Sequence, residues 1–239
     1  MLRAMNIFEE KVVSLLPAIE VATSKEPKFA VIWLHGLGAD GSDFVPVVHE
    51  LGLNQDYGTR FVFPHAPYRA VTCNGGYEMR AWYDIISLEP HSRRIDEAGL
   101  VESREAVRAL IQRENERGIP SCNIFLAGFS QGGAVAYLTA LTHGERLGGL
   151  IALSTYIPSQ PLQLDEATPA NRDLPILAAH GSHDDVVSPA LGKAARDLLR
   201  EAGYAVAWHE YPMPHSVCIE EVELIGDWLN ARCGEIVGA

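Results

Sequence analysis

The feature that most constrains this chain is the stretch NIFLAGFSQGG, residues 123 to 133, where an apolar run passes through a glycine-flanked serine into helix-forming sequence. This pattern predicts a buried strand, a sharp turn at Ser130 and then a helix. A serine hydroxyl becomes a good nucleophile only when a rigid scaffold holds it beside a general base and backbone donors. Gly128 and Gly132 permit such a turn, but a flexible Ser/Gly turn has the same composition. Other residues are needed to distinguish the two.

Apolar runs recur along the chain and alternate with segments whose apolar residues are three and four apart. The runs lie at residues 29–34, 61–63, 124–127, 150–153, 176–179 and 205–208. The helical segments lie at residues 42–51, 97–118, 131–142, 189–202 and 217–232. Strands that alternate with helices predict an α/β fold, with a mainly parallel central sheet and helices on both faces.

The length of 239 residues predicts a single domain that spans residues 1–239. Residues 1–27 have weak strand character, interrupted by Pro17, which indicates an edge strand or an N-terminal arm. Residues 64–90 are rich in proline, glycine and aromatic residues and fit neither the strand nor the helix pattern. They are too long for a simple connection, so we expect a substrate groove or a lid-like insertion there.

Charge and cysteine content restrict the partners and the compartment. Nineteen Lys and Arg against 31 Asp and Glu give a formal net charge of -12, which repels polyanions, so we expect neither nucleic acid nor an anionic membrane surface as a partner. The four cysteines lack C-x-x-C spacing and are expected to be free thiols. No stretch reaches the roughly 18 apolar residues of a membrane span. These features predict a cytoplasmic protein without stable membrane insertion.

A base and an acid for Ser130 can be sought at the carboxyl ends of the later strands, where reactive groups of α/β sheets gather. The G-x-S-x-G elbow of α/β-hydrolases is followed in the chain by an acid and then by a histidine. His209 lies within an alternating strand pattern, whereas His215 follows it in a loop stiffened by two prolines, so we predict His215 as the base. The run at residues 176–180 leads directly into Asp184 and Asp185, and spacing does not separate these two candidates for the acid.

Backbone N–H groups must stabilise the negative oxygen that forms when a nucleophile attacks a carbonyl. One donor should be the residue after the nucleophile, Gln131, and the other should lie in a loop after an early strand. The glycine-rich turn at residues 35–41 follows the first buried run, and its glycines allow a close approach to a substrate. We therefore predict the Leu37 amide as the second donor.

A metal site is a rival interpretation of the cluster formed by His180, His183, Asp184 and Asp185. His180 ends a buried run, and no second cluster of His, Asp or Glu with recognisable spacing accompanies it. We therefore predict neither a metal nor another cofactor.

Several motifs together resemble the acyl-protein thioesterase, lysophospholipase and carboxylesterase family of small α/β-hydrolases. They are LHGLG at 34–38, NGGYEMRAWYD at 74–84, GFSQGG at 128–133, ANRD at 170–173, HGSHD at 180–184 and HS at 215–216. The resemblance runs from about residue 28 to the C-terminus. It implies Ser130 as the nucleophile, Asp184 rather than Asp185 as the acid and His215 as the base, with the Leu37 and Gln131 amides as the oxyanion donors.

The resemblance also implies that residues 64–90 line an acyl-binding groove, and we expect Met79, Trp82, Tyr83 and Met213 to contact the substrate. Our leading hypothesis is a serine hydrolase that cleaves carboxylic esters, with thioesters as a further class, bearing short-to-medium apolar acyl chains. The alternative is an acyl-protein thioesterase or lysophospholipase acting on long acyl chains. A third hypothesis is a ligand-binding module with a vestigial site. Exposed apolar residues in 64–90 could equally form a homodimer contact.

Overall fold

The computed structural model describes residues 15–89, 92–159 and 164–238. Within these ranges the strands are β1 (Ala18–Ala22), β2 (Phe29–Leu34), β3 (Thr59–Pro64), β4 (Tyr68–Val71), β5 (Tyr77–Arg80), β6 (Ile85–Glu89), β7 (Ser92–Ile95), β8 (Ile124–Phe129), β9 (Gly149–Leu153), β10 (Ile176–Gly181) and β11 (Val206–Tyr211). The α-helices are α1 (Glu97–Glu116), α2 (Gln131–Thr142), α3 (Pro189–Glu201) and α4 (Ile219–Gly238).

Seven strands form the central sheet in the order β1-β3-β2-β8-β9-β10-β11. Every neighbouring pair is parallel except β1 with β3, which is antiparallel. All six predicted apolar runs contribute to this sheet, and β1, within the region expected to be an edge strand or an N-terminal arm, lies at one edge of it. The part of that expectation that concerns residues 1–14 lies outside the described residues. The predicted α/β fold with a mainly parallel sheet is confirmed.

Two apolar cores cover the two faces of the sheet. One face packs against α1, α2 and α3 through buried side chains such as Leu100, Leu138 and Leu199. The other face packs against α4 through Ile225 and Leu229, among others. Because the central strands are buried on both faces, their sequences are continuous apolar runs rather than alternating ones.

Two segments differ from the sequence prediction. Residues 42–51 do not form an α-helix but a short 3₁₀ helix at Val45–His49, whose few residues include Pro46 and three valines, which disfavour a longer helix. The described part of the segment predicted to be irregular, residues 64–89, contains strands, because β4 pairs with β5, and β6 pairs with the following β7, as two antiparallel hairpins. In the described ranges no helix is long and apolar enough to cross a membrane. All four cysteines are free, as expected.

A buried ionic cluster joins the edge strand to the first helix. Glu114 of α1 has no exposed surface, and its carboxylate lies 2.6 Å from Arg60 of β3, 3.2 Å from Arg113 and 3.1 Å from Arg117. Arg113 and Arg117 also reach Glu20 of β1, at 3.0 and 2.9 Å. The same buried carboxylate therefore partly neutralises the charges of three arginine side chains.

Candidate active site

Ser130 lies in the sharp turn between β8 and α2, with φ 54° and ψ −119°. A serine rarely adopts this backbone conformation, which costs of order 1–3 kcal/mol and persists only where the surroundings impose it. The Ser130 N–H donates to the Leu153 carbonyl at 2.9 Å, and the Thr155 hydroxyl donates to the Ser130 carbonyl at 2.6 Å. The end of β9 therefore holds the turn in place.

The flanking glycines are required by close packing. A Cβ on Gly128 would lie 2.5 Å from the Gly132 carbonyl oxygen, and a Cβ on Gly132 would lie 2.5 Å from the carbonyl oxygens of Leu34 and His35. The helix therefore begins against the end of β2 at a distance that no larger residue permits. This contact brings the loop after β2 next to the serine, because a Cβ on Gly36 would be 3.6 Å from Ser130 Cβ.

Asp184 follows β10 and His215 follows β11, and the two side chains meet at the carboxyl ends of these strands. His215 Nδ1 lies 2.6 Å from Asp184 Oδ2, and the His215 ring packs at a tilt of 42° with its centroid 4.6 Å from that of Phe129, the residue before Ser130. Asp184 is buried and follows β10, whereas Asp185 is exposed. His209, the other late histidine, lies within β11 opposite Ala179. The structure therefore places Asp184 and His215 together beside the serine turn.

The Asp184 carboxyl is held as an anion. Burial opposes its ionisation, but the neighbouring His180 ring and the hydrogen bonds from His215 and the Val187 N–H outweigh burial and hold the pKa of Asp184 well below its usual range. Because an ionised carboxylate only accepts hydrogen bonds, Nδ1 of His215 must carry the shared proton. The Nε2 atom of a neutral His215 is then free to accept a proton.

The loop after β2 is fixed by the His35 side chain. Its Nε2 accepts from the Ala66 N–H at 3.0 Å, so its Nδ1 carries the proton and donates to the Gly36 carbonyl at 2.7 Å. Burial lowers the pKa of His35, which keeps the ring neutral. In the described part of the chain, neither the Leu37 nor the Gln131 N–H donates a hydrogen bond, so both remain available to a ligand.

The Gln131 side chain has a role that sequence reasoning did not anticipate. Its Oε1 accepts from the Trp82 N–H and its Nε2 donates to the Tyr83 carbonyl, both at 2.8 Å. The Trp82 indole donates to the His35 carbonyl at 2.8 Å. Gln131 and Trp82 thus join the serine turn, the β2 loop and the segment between β5 and β6.

Trp82 and Tyr83 were expected to line a groove, but neither side chain has exposed surface. The Trp82 N–H groups are used internally, and the Tyr83 hydroxyl lies 2.8 Å from that of Tyr156. The two rings are therefore part of the packed interior that supports the site, and they do not line an open groove in this structure. Met79 is half-buried and lies near Gly38 of the β2 loop, while Met213 is 6% exposed in the loop before His215.

The supporting roles of Thr155 and His180 were also missed, although His180 was weighed as a metal ligand and both residues lie near the end of a strand of the sheet. Searching every strand end for polar residues, rather than only for an acid and a base, would have found them. His180 Nε2 donates to the Val187 carbonyl at 2.8 Å and lies 3.4 Å from Asp184 Oδ2. Among the described residues, no three His, Cys, Asp or Glu side chains are grouped so that they could hold a metal ion.

The parallel sheet, the strained serine between β8 and α2, and a histidine–carboxylate pair at two later strand ends define the protein as an α/β-hydrolase. The sequence pattern of the phospholipase/carboxylesterase family matches residues 17–233, and the chain belongs to this family. Its relatives include acyl-protein thioesterase 1 of Neurospora crassa, which is 39% identical over 231 residues that cover 93% of this chain and 92% of the relative.

Solved structures agree with this assignment. The crystal structure of Arabidopsis thaliana SOBER1 has a TM-score of 0.80 and 33% identity, over 85% of this chain and 98% of that chain. Acyl-protein thioesterase 2 of Zea mays has a TM-score of 0.80 and 26% identity, over 91% and 99% of the two chains. SOBER1 is named a carboxylesterase. The protein is therefore a hydrolase of the carboxylesterase and thioesterase type.

Proposed function

We propose that the protein cleaves carboxylic esters and thioesters with short-to-medium apolar acyl chains through an acyl-enzyme on Ser130. The observation that carries this proposal is the geometry at the carboxyl ends of the strands. There the strained serine turn adjoins a histidine whose Nδ1 is held 2.6 Å from a buried carboxylate. The proposal assigns Ser130 as nucleophile, His215 as base and Asp184 as the residue that orients His215.

In this mechanism Ser130 Oγ attacks the carbonyl carbon while His215 Nε2 takes the hydroxyl proton. The negative oxygen that results is stabilised by the Leu37 and Gln131 N–H groups, each of which is worth about 10²–10³ in rate in well-studied examples. The C–O or C–S bond then breaks, and His215 returns the proton to the leaving alcohol or thiol. Water repeats the sequence on the acyl-enzyme and releases the acid.

Of the four predicted substrate contacts, only Met79 is still proposed to touch the substrate. Met79 has accessible surface beside the Gly38 loop and remains proposed as a contact of the acyl chain. The proposal gives Trp82 and Tyr83 a supporting role, because they are fully buried. Met213 is proposed to shape the loop that carries His215, since its carbonyl accepts from the His183 N–H at 3.1 Å.

Replacement of Ser130 tests the mechanism directly. We expect Ser130→Ala to lower kcat/KM for a p-nitrophenyl ester by on the order of 10³-fold or more with an unchanged fold. Ser182→Ala is a matched control, because Ser182 is an exposed serine at the end of β10. A fluorophosphonate probe should label the parent and the control at Ser130 but not the Ser130→Ala variant. Parental turnover by that variant would refute the assignment.

A second candidate is a deacylase of long-chain substrates, either an acyl-protein thioesterase or a lysophospholipase. It is favoured by the 39% identity to an acyl-protein thioesterase 1 over almost the whole chain. The two candidates differ in how kcat/KM depends on chain length. A series of p-nitrophenyl esters from acetyl to palmitoyl, together with an S-palmitoylated peptide and a lysophospholipid, separates them. A maximum at the palmitoyl substrates would favour the second candidate.

A further inference from the structure

The turn that carries Asp184, residues 184–187, is held by hydrogen bonds on several sides. Asp184 Oδ1 accepts from the N–H groups of Val186 and Val187, at 2.9 and 2.7 Å. Asp184 Oδ2 accepts from His215 Nδ1 at 2.6 Å. The orientation of the carboxylate toward His215 therefore depends on where the backbone of this turn points its two N–H groups.

Arg93 of β7 reaches this turn from a distant part of the chain. Its guanidinium lies 4.8 Å from the centre of the Tyr156 ring and donates to the Val186 carbonyl. The Tyr156 ring is itself fixed, because its hydroxyl lies 2.8 Å from that of the fully buried Tyr83. Arg93 Nε is buried as well, so this side chain packs against the protein instead of extending into water.

One peptide unit links Arg93 to Asp184. The Val186 carbonyl, which accepts from Arg93, and the Val187 N–H, which donates to Asp184, belong to the same planar group. Rotation of this plane would break both hydrogen bonds together. A cation on the carbonyl also polarises the peptide and strengthens the hydrogen bond that its N–H donates. The Val186 side chain is 53% exposed, so the Val186 end of this peptide is packed less tightly than the Val187 end, whose side chain is buried.

We propose that Arg93 is a positioning residue that fixes the Val186–Val187 peptide plane and thereby holds the Asp184 carboxylate toward His215. This inference rests on the proposed function, because it assigns Asp184 to orient the catalytic base. Strand β7 then supports the catalytic site through Arg93, which does not itself touch the reacting atoms. Arg93 contributes nothing to substrate binding in this account, so its loss lowers kcat and leaves KM unchanged.

The test is a double-mutant cycle with the variants Arg93→Gln, Asp184→Asn and the combination of both, assayed with a neutral p-nitrophenyl ester. Arg94→Gln is the matched control, because Arg94 is the next residue of the same strand, carries the same charge and is exposed. Arg93→Lys retains a cationic donor and should recover part of the activity. Thermal midpoints of all variants show whether each one is folded.

We expect Arg93→Gln to lower kcat about tenfold in the parent, with KM within about twofold, because a hydrogen bond from a charged group is lost. In the Asp184→Asn background the same change should lower kcat less than about twofold, since the residue through which Arg93 acts is already impaired. Arg94→Gln should leave kcat unchanged. Partial recovery by Arg93→Lys supports the inference, and if Arg93→Gln does not fold, the cycle is performed with Arg93→Lys.

Four results would overturn the inference. An equal loss of kcat in both backgrounds would show that Arg93 acts independently of Asp184, and a rise in KM would show that it contacts the substrate. If Asp184→Asn is impaired but Arg93→Gln is fully active, the role of Arg93 is refuted while that of Asp184 stands. Parental kcat in Asp184→Asn would refute the catalytic role of Asp184 and, with it, this inference.

Discussion

Replacement of Glu221 by glutamine should remove a pH dependence from the stability of this protein. Glu221 lies in the first turn of α4, six residues after His215, and has no exposed surface. Burial raises the pKa of this carboxyl from 4.5 to about 8, and the nearby Cys218 backbone N–H opposes the rise only in part. That N–H is not in hydrogen-bond geometry, because neither carboxyl oxygen has a partner among the described residues.

The sign of the effect follows from the direction of this shift. In the unfolded chain Glu221 loses its proton near pH 4.5, whereas the folded protein retains the proton until about pH 8. The unfolded state therefore binds fewer protons between these limits, and the free energy of unfolding falls as the pH rises. The fall is about 1.4 kcal/mol per pH unit within this window, or about 3.5 kcal/mol from pH 5 to pH 8.

Urea unfolding of the parent and Glu221→Gln across this pH range measures the effect. Glutamine has nearly the same shape and cannot ionise, so the stability of the variant relative to the parent should increase by about 3.5 kcal/mol from pH 5 to pH 8. Glu220→Gln is the control, because Glu220 is exposed and its hydrogen bonds lower its pKa out of this range. A constant difference between parent and Glu221→Gln would refute the reasoning.

Two further substitutions test the packing. Glu114→Gln should lower the free energy of unfolding by about 3 kcal/mol, because three arginines lose their shared buried carboxylate. Glu116 is exposed, so Glu116→Gln should change this free energy little. Chemical denaturation at neutral pH measures both variants. Gly226→Ala should be severely destabilising, since its Cβ would lie 1.7 Å from the Leu51 carbonyl oxygen, whereas Gly234→Ala meets only a tyrosine hydroxyl at 3.0 Å. A Gly226→Ala thermal midpoint within about 2 °C of the parent would contradict this packing argument.

The local sequence predicted most of the fold because its strongest signals do not depend on distant partners. The runs at 29–34 and 124–127 have the composition of strands buried on both faces, and each lies in the central sheet. The helix at 131–142 has the bounds that the pattern predicted. The segment 64–90 was harder, because short hairpins such as β4–β5 depend on packing against the rest of the protein for stability.

The candidate site was also predicted only in part from the sequence. Chain order and motif spacing were enough to single out Ser130, His215 and two adjacent aspartates, because the backbone at a strand end determines where such residues point. The resemblance to a known family then selected Asp184. The structure brings Asp184 to His215 at 2.6 Å and leaves Asp185 exposed. The catalytic roles of these residues remain a proposal that Ser130→Ala tests.

The sequence by itself determined the strand–serine–helix turn, the parallel sheet and the residues available for chemistry, since these depend on periodicity, glycine and chain order. Only the tertiary structure decided what holds those residues in place. Gln131 bridges to Trp82 and Tyr83 across more than forty residues, and Arg93 reaches Val186 across more than ninety. Such contacts leave no local pattern, because they depend on which elements the folded sheet brings together. The turn at Ser130 is a local feature, but its strained backbone is maintained by Leu153 and Thr155, at the end of another strand.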